Sequence, residues 1–216
     1  MIKVALSLLA SDYLRFGEAL DKVIASGADA LHYDVMDGEF VPAITFGQDL
    51  LSRLAAKGLP IDAHLMIVHP EKHIKEFADA GARYITVHQE AAGFGLNDTL
   101  QLIRSCGCLA GVSVKPYTSV EALGDCLELC DLILIMTVEP GKGGQKLIPF
   151  TLDKVRRIKQ LCGERGVNPI IEVDGGINTE TAPLAVQAGA DMLVAGSAFF
   201  KASDPKGFVR TLKSIQ

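Results

Sequence analysis

The sequence predicts an α/β fold, a single (β/α)8 barrel of the TIM type over residues 1–216, on three observations. Eight short apolar runs recur, segments of helical period separate them, and Gly-Ala pairs stand where several of those segments end. In order, a first run (4–9) containing Ser7 leads to a helical segment (14–25) closed by Gly27-Ala28. A second run (30–35) carries His32 and Asp34 and precedes a helix at 49–56, and a third (61–66) carries His64 before a helix at 71–80 closed by Gly81-Ala82. The fourth (84–87) meets His88 and a helix at 96–104, and the fifth (110–114) meets Lys115 and a helix at 120–126. The sixth (132–136) ends at Met136 before E-P-G-K-G-G-Q and a helix at 152–161. The seventh (170–173) reaches Asp174 and a helix at 181–188 closed by Gly189-Ala190, and the eighth (192–194) reaches Gly196-Ser197 and a helix at 207–215. The Gly-Ala pairs fit left-handed C-cap glycines that return the chain to a sheet. Such alternation demands a mostly parallel sheet, and eight units favour closure into a barrel. A doubly wound open sheet is the runner-up, without the G-x-G-x-x-G that a dinucleotide fold carries after its first strand. No linker or low-complexity tract divides the chain.

A hydrophobic fraction of 49% and a net charge of -5 are ordinary for a soluble globular protein. With no dense Lys/Arg cluster, nucleic acid and anionic membrane are excluded as main partners, so an anionic ligand must be held locally. No segment has the pattern of a secretory signal or the length of a membrane span, and a cytoplasmic location is expected. The five cysteines, Cys106, Cys108, Cys126, Cys130 and Cys162, are expected as free thiols, since their spacing lacks the paired C-x2-C of structural zinc.

In a barrel of this kind the chemistry sits at the carboxyl ends of the strands, where Ser7, His32, Asp34, His64, His88, Lys115, Asp174 and Ser197 fall. His32 and Asp34, two apart on a strand, project to the same face, the lumen, and Tyr33 to the other. A histidine merely orienting a loop carboxylate is the simpler reading of one such pair. His64 and Asp174 at two further strand ends make a metal set more attractive, because a charge in an apolar lumen must be paired or metal-bound. Two carboxylates can invert a stereocentre, one removing a proton from carbon while the other delivers a proton to the opposite face. Zinc suits two imidazoles and two carboxylates; iron, manganese and cobalt are compatible. Gly141, Gly143 and Gly144, Gly175 and Gly176, and Gly196 with Ser197 follow strands six, seven and eight. Singly they read as tight turns. Together they match the recurrent phosphate position of phosphosugar barrels, with Ser197 placed to cap a short helix.

The segments S-L-L-A-S-D (7–12), H-Y-D-V-M-D-G-E-F-V-P (32–42), D-A-H-L-M-I (62–67), H-P-E-K-H-I-K-E-F (69–77), M-T-V-E-P-G-K-G-G-Q-K-L-I-P (136–149), V-D-G-G-I (173–177) and V-A-G-S-A-F-F (194–200) carry a resemblance that covers nearly the whole chain. In this order the chain resembles the ribulose-phosphate 3-epimerases. The resemblance implies interconversion of D-ribulose 5-phosphate and D-xylulose 5-phosphate with one divalent metal ion. It makes His32, Asp34, His64 and Asp174 the metal ligands, and Asp34 and Asp174 also the acid/base pair. It implies substrate contacts from Ser7, His64, Met36, Met66 and Met136, and phosphate contacts from Gly143, Gly144, Gly175, Gly176, Gly196 and Ser197, with Gly141 in the same loop. Methionine is often core filler, but here its uncharged surface can exclude water without offering a proton. A homo-oligomer is also implied.

The chain departs from the family pattern at Lys115 and Glu139, where many members have Asn, at Tyr117, where Gly is usual, and at Lys142, where Phe is usual. Lys115 and Glu139 follow adjacent strands and are expected to form an ion pair. These changes leave open a 3-epimerase of a ketohexose 6-phosphate such as allulose 6-phosphate. Lys115 also admits a Schiff-base aldolase, and a non-catalytic phosphosugar-binding barrel is a further alternative. His88 is expected to orient a group of the site, whereas His69 and His73 read as solvated.

Overall fold

The computed structural model describes residues 1–92 and 95–216; Phe94, which the sequence places in a loop, lies outside the described residues. The strands β1 (Lys3–Ser7), β2 (Ala30–Met36), β3 (Ile61–Met66), β4 (Tyr84–His88), β5 (Leu109–Val114), β6 (Leu132–Met136), β7 (Ile170–Asp174) and β8 (Met192–Ala195) are parallel and close in sequential order, β8 pairing with β1. The open-sheet alternative is thereby removed. Around them run α1 (Phe16–Ser26), α2 (Gln48–Ala55), α3 (Ile74–Asp79), α4 (Gln89–Ala92), α5 (Leu96–Ser105), α6 (Thr151–Arg165), α7 (Ala182–Ala188), α8 (Ser197–Lys201) and α9 (Pro205–Lys213). Gly27, Gly81 and Gly189, at φ of 79°, 103° and 112°, make the left-handed returns expected of the Gly-Ala pairs.

Strand parity divides the core. Leu31, Tyr33 and Val35 of β2 point outward and pack with Leu20 and Val23 of α1 and Leu51 and Leu54 of α2 in the large cluster between sheet and helices. The lumen has a second apolar cluster of its own, from Ala5, Ala30, Leu132, Leu134, Met136, Met192 and Val194. The lumen also buries polar side chains, His32 and Asp34 of β2, Asp62 and His64 of β3, Thr86 and His88 of β4, and Glu172 of β7, the last in register with Leu134 and Met192 of that cluster.

Two expected helices are altered. The 120–126 segment holds only a 3-10 turn, Val120–Leu123, with a second, Leu127–Leu129, just beyond it, because Gly124 interrupts the helical period. The 71–80 segment is a 3-10 turn, Pro70–Lys72, then α3, the break falling at His73 with φ -115°. The five cysteines are free thiols, with the Cys126 and Cys130 sulfurs 4.0 Å apart. Among the described residues no helix is long and apolar enough to cross a membrane.

Gly111 of β5 lies opposite Thr86 of β4, and a Cβ placed on it would come within 2.2 Å of Thr86 Oγ1 and 3.1 Å of its Cα. Because backbone as well as side chain would have to move, Gly111→Ala is expected to destabilise the barrel by about 1–3 kcal/mol, as overpacking does. Thermal unfolding checks this, at about 2–4 °C of melting temperature per kcal/mol for a chain of this size.

Candidate active site

The donor atoms of His32, Asp34, His64 and Asp174 all lie within 4.8 Å of one another. Sheet register gathers them: Asp34 stands opposite His64, His32 opposite Ser7, and Met136 opposite Asp174. His32 Nε2 is 3.3 Å from Asp34 Oδ1 and 3.9 Å from Asp174 Oδ2. His64 Nδ1 is 3.3 Å from both Asp34 Oδ1 and His32 Nε2. The Ser7 hydroxyl donates to Asp34 Oδ2 at 2.6 Å, which fixes the second oxygen of that carboxylate.

Each imidazole is held from behind. His32 Nδ1 donates to Asp62 Oδ2 at 2.6 Å, leaving Nε2 for the site. His64 Nε2 lies 2.9 Å from His88 Nε2, leaving Nδ1 for the site, and His88 Nδ1 is 3.2 Å from Glu90 Oε2. His88 therefore stands where the sequence placed it, whereas Asp62, Glu90 and Glu172 were missed. Asp62 and Glu172 each precede a predicted ligand by two residues, so the period-2 rule that found Asp34 would have found them.

The electrostatics separate the two aspartates. Burial opposes the charge on Asp34, but His32 and His64 outweigh it and hold its carboxyl far below the usual range. Burial, with Asp34 as a negative neighbour, pushes Asp174 up to about 6. Burial opposes the charge on His32, but Asp34 and Asp62 raise it well above an ordinary histidine. Burial lowers His88 to about 4. Deeper in the barrel, burial and then Asp62 push Glu172 well above the usual carboxylate range, and neither of its carboxyl oxygens has a hydrogen-bond partner.

A cavity of about 620 Å³ opens above the cluster. Ser7, Asp34, Met36, Met66, Met136 and Asp174 line its inner end, and Gly141, Gly143, Gly144, Gly175, Gly176, Gly196 and Ser197 also line it. His32 and His64 sit behind this wall. Gln145 Nε2 clamps the loop after β6 by donating to the Glu139 and Lys142 carbonyls at 2.7 and 2.8 Å. The glycines divide by cause. Gly144 has φ +75° with open space where a side chain would project, whereas Gly176, at φ +68°, would press a Cβ to 2.3 Å from Leu147 N. Gly144 thus leaves room for a ligand, and Gly176 lets two loops meet.

Two expectations are corrected. Lys115 and Glu139 form no ion pair: the Lys115 ammonium lies 3.9 Å above the Phe40 ring, and the Lys115 backbone N-H donates to Glu90 Oε1 at 2.7 Å. A cation over an aromatic face competes well with a half-exposed ion pair. Ser197 is not a helix cap, since it is the first residue of α8 and Gly196 precedes it without a side-chain hydrogen bond. Of the four departures, Glu139 and Lys142 line the cavity; Lys115 and Tyr117 do not, and Tyr117 packs on Phe150 at 5.2 Å between ring centroids. His69 and His73 are exposed, with side chains 66% and 47% accessible.

Comparison with known proteins gives the same direction. The chain is 45% identical over 215 residues to ribulose-phosphate 3-epimerase of Bacillus subtilis (strain 168), covering 99% of each. It is 49% identical over 205 residues to that of Synechocystis sp. (strain ATCC 27184 / PCC 6803 / Kazusa), covering 93% of this chain and 88% of the other. The crystal structure of 3-hexulose-6-phosphate synthase from Salmonella typhimurium shares the fold with a TM-score of 0.70 at 21% identity, covering 99% and 98% of the two chains. A sequence model of the Ribulose-phosphate 3 epimerase family matches residues 3–200, and with these relatives it shows that the chain is an isomerase belonging to that family.

Proposed function

We propose that the chain interconverts D-ribulose 5-phosphate and D-xylulose 5-phosphate by inverting C3, with Asp34 and Asp174 as the two acid/base groups. The observation that carries this is that Asp34 and Asp174 line one cavity in unlike environments, which lower the one and raise the other. Environments that push two acids apart suit one to accept a proton while the other gives one. In one direction a carboxylate takes the C3 proton, the electron pair moves onto the neighbouring carbonyl to give an enediolate, and the other carboxyl protonates the opposite face. The roles exchange in reverse. Ser7 orients Asp34, and Met36, Met66 and Met136 line the reacting end with surface that neither donates nor accepts protons.

His32, Asp34, His64 and Asp174 fit one divalent ion: their donor atoms converge, and the far nitrogens of both rings already have partners. The nitrogen–oxygen donor set suits zinc, with iron, manganese or cobalt compatible. Such an ion supplies positive charge beside the developing enediolate. Backbone N-H groups of Gly143, Gly144, Gly175, Gly176, Gly196 and Ser197 are proposed to hold the phosphate. Assembly as a homo-oligomer belongs to the same reading, supported by the exposed apolar side chains of Leu14, in the 3-10 turn Tyr13–Arg15 after β1, and Ile44, in the segment after β2.

Glu139 and Lys142 on the cavity wall favour a second reading, epimerisation of a ketohexose 6-phosphate. Lys115 lies off that wall, which counts against the aldolase. The test is deuterium wash-in at C3 and epimer formation over a panel of ketose phosphates. D-ribulose 5-phosphate is expected to have the highest kcat/KM. A larger value for allulose 6-phosphate would transfer the assignment to the hexulose.

A further inference from the structure

We propose that Glu90 is a positioning residue that fixes the tautomer of His64 through His88, so that the nitrogen facing the site is the one without a proton. This rests on the reading of His64 as a metal ligand. A metal beside Asp34 needs a lone pair on His64 Nδ1, which lies 3.3 Å from Asp34 Oδ1. The His64 proton is then on Nε2, 2.9 Å from His88 Nε2, which must accept it. A neutral His88 that accepts at Nε2 carries its own proton on Nδ1, 3.2 Å from Glu90 Oε2. A carboxylate there can only accept, so once a metal takes the His64 Nδ1 lone pair, in place of the Asp34 oxygen 3.3 Å away, every nitrogen in the series has one allowed role. His32 reaches the same result with one carboxylate in direct contact, Asp62 at 2.6 Å.

Glu90 is itself oriented. Its Oε1 accepts from the Lys115 backbone N-H at 2.7 Å and from the Thr118 hydroxyl, so Oε2 is turned toward His88. This makes Glu90→Gln more than a neutral isostere. The amide oxygen is drawn to the backbone donor of Lys115, which leaves the NH2 facing His88 Nδ1. That nitrogen must then accept, the His88 proton shifts to Nε2, and the His64 proton is driven onto Nδ1, into the site. Glu90→Ala only removes the last acceptor and leaves either tautomer open.

The experiment compares wild type, Glu90→Gln and Glu90→Ala as full chains. The His64 tautomer is read in the metal-free proteins by long-range 15N-1H correlation, and zinc affinity by competition with a chromophoric chelator. Expected are His64 Nε2-H in wild type, Nδ1-H in Glu90→Gln, a zinc Kd about 10–100-fold weaker in Glu90→Gln, and a smaller loss in Glu90→Ala. A packing role gives the reverse order, with alanine worse than glutamine, and that order overturns the proposal, as does an unchanged tautomer and Kd in Glu90→Gln. A tautomer shift from wild type to Glu90→Gln, with no zinc bound by the wild type, removes the metal reading and leaves the relay standing.

Discussion

Asp174→Asn and Asp34→Asn are each expected to lower the rate of epimerisation by about 10³–10⁴-fold, the upper part of what one positioned acid/base group contributes. An asparagine amide neither takes nor gives a proton near neutral pH, so inversion stops. The half-reaction need not stop. In each variant the remaining aspartate still reaches one face of C3, so one epimer exchanges its C3 proton with solvent while the other does not, and neither converts. Wash-in of deuterium, followed separately from each epimer in enzyme of confirmed metal content, resolves the two faces. Loss of exchange from both epimers in both variants, with metal retained, would exclude a two-carboxylate mechanism.

Withdrawal of the metal is expected to abolish turnover and to restore it when zinc is returned. Stability is expected to follow. Zinc at about 100 times its Kd adds about 2.7 kcal/mol, which raises the melting temperature by about 5–10 °C in a chain of this size. The pH dependence has a definite sign. In the metal-free protein Asp34 and Asp62 favour the protonated form of His32, and a metal must displace the proton on Nε2. Affinity therefore falls as pH is lowered, by about tenfold per pH unit for each proton released. Calorimetry in buffers of different ionisation enthalpy reads that proton directly. Full turnover after complete metal removal would sink the metal-assisted mechanism.

Much of this was legible in the sequence because β-strands alternate and helices do not. His32 and Asp34 share a face by period alone, and the Gly-Ala returns marked where helices gave way to strands. The 120–126 segment failed because Gly124 weakens a marginal helix more than its apolar spacing supports it. The Lys115–Glu139 pairing failed for a different reason. Adjacent strands bring backbones together, but the direction in which a long side chain swings is set by what else is near, here Phe40 from the loop after β2. The carboxylates behind the site were hidden in plain alternation: Asp62 and Glu172 occupy the same faces as His64 and Asp174.

The paired register of β2 and β3 also bears on how this barrel can change over time. Asp34 and His64 are spaced by the interstrand distance of about 4.8 Å, and His32 and Asp34 by the two-residue repeat of a single strand, both constants of the polypeptide and not set by the path of any loop. The cage and the walls that select the sugar are consequently separate inheritances. Loops after β5 and β6 can be exchanged, lengthened or recharged while the cage keeps its dimensions, so a transplanted loop should carry its substrate preference with it and leave proton exchange intact.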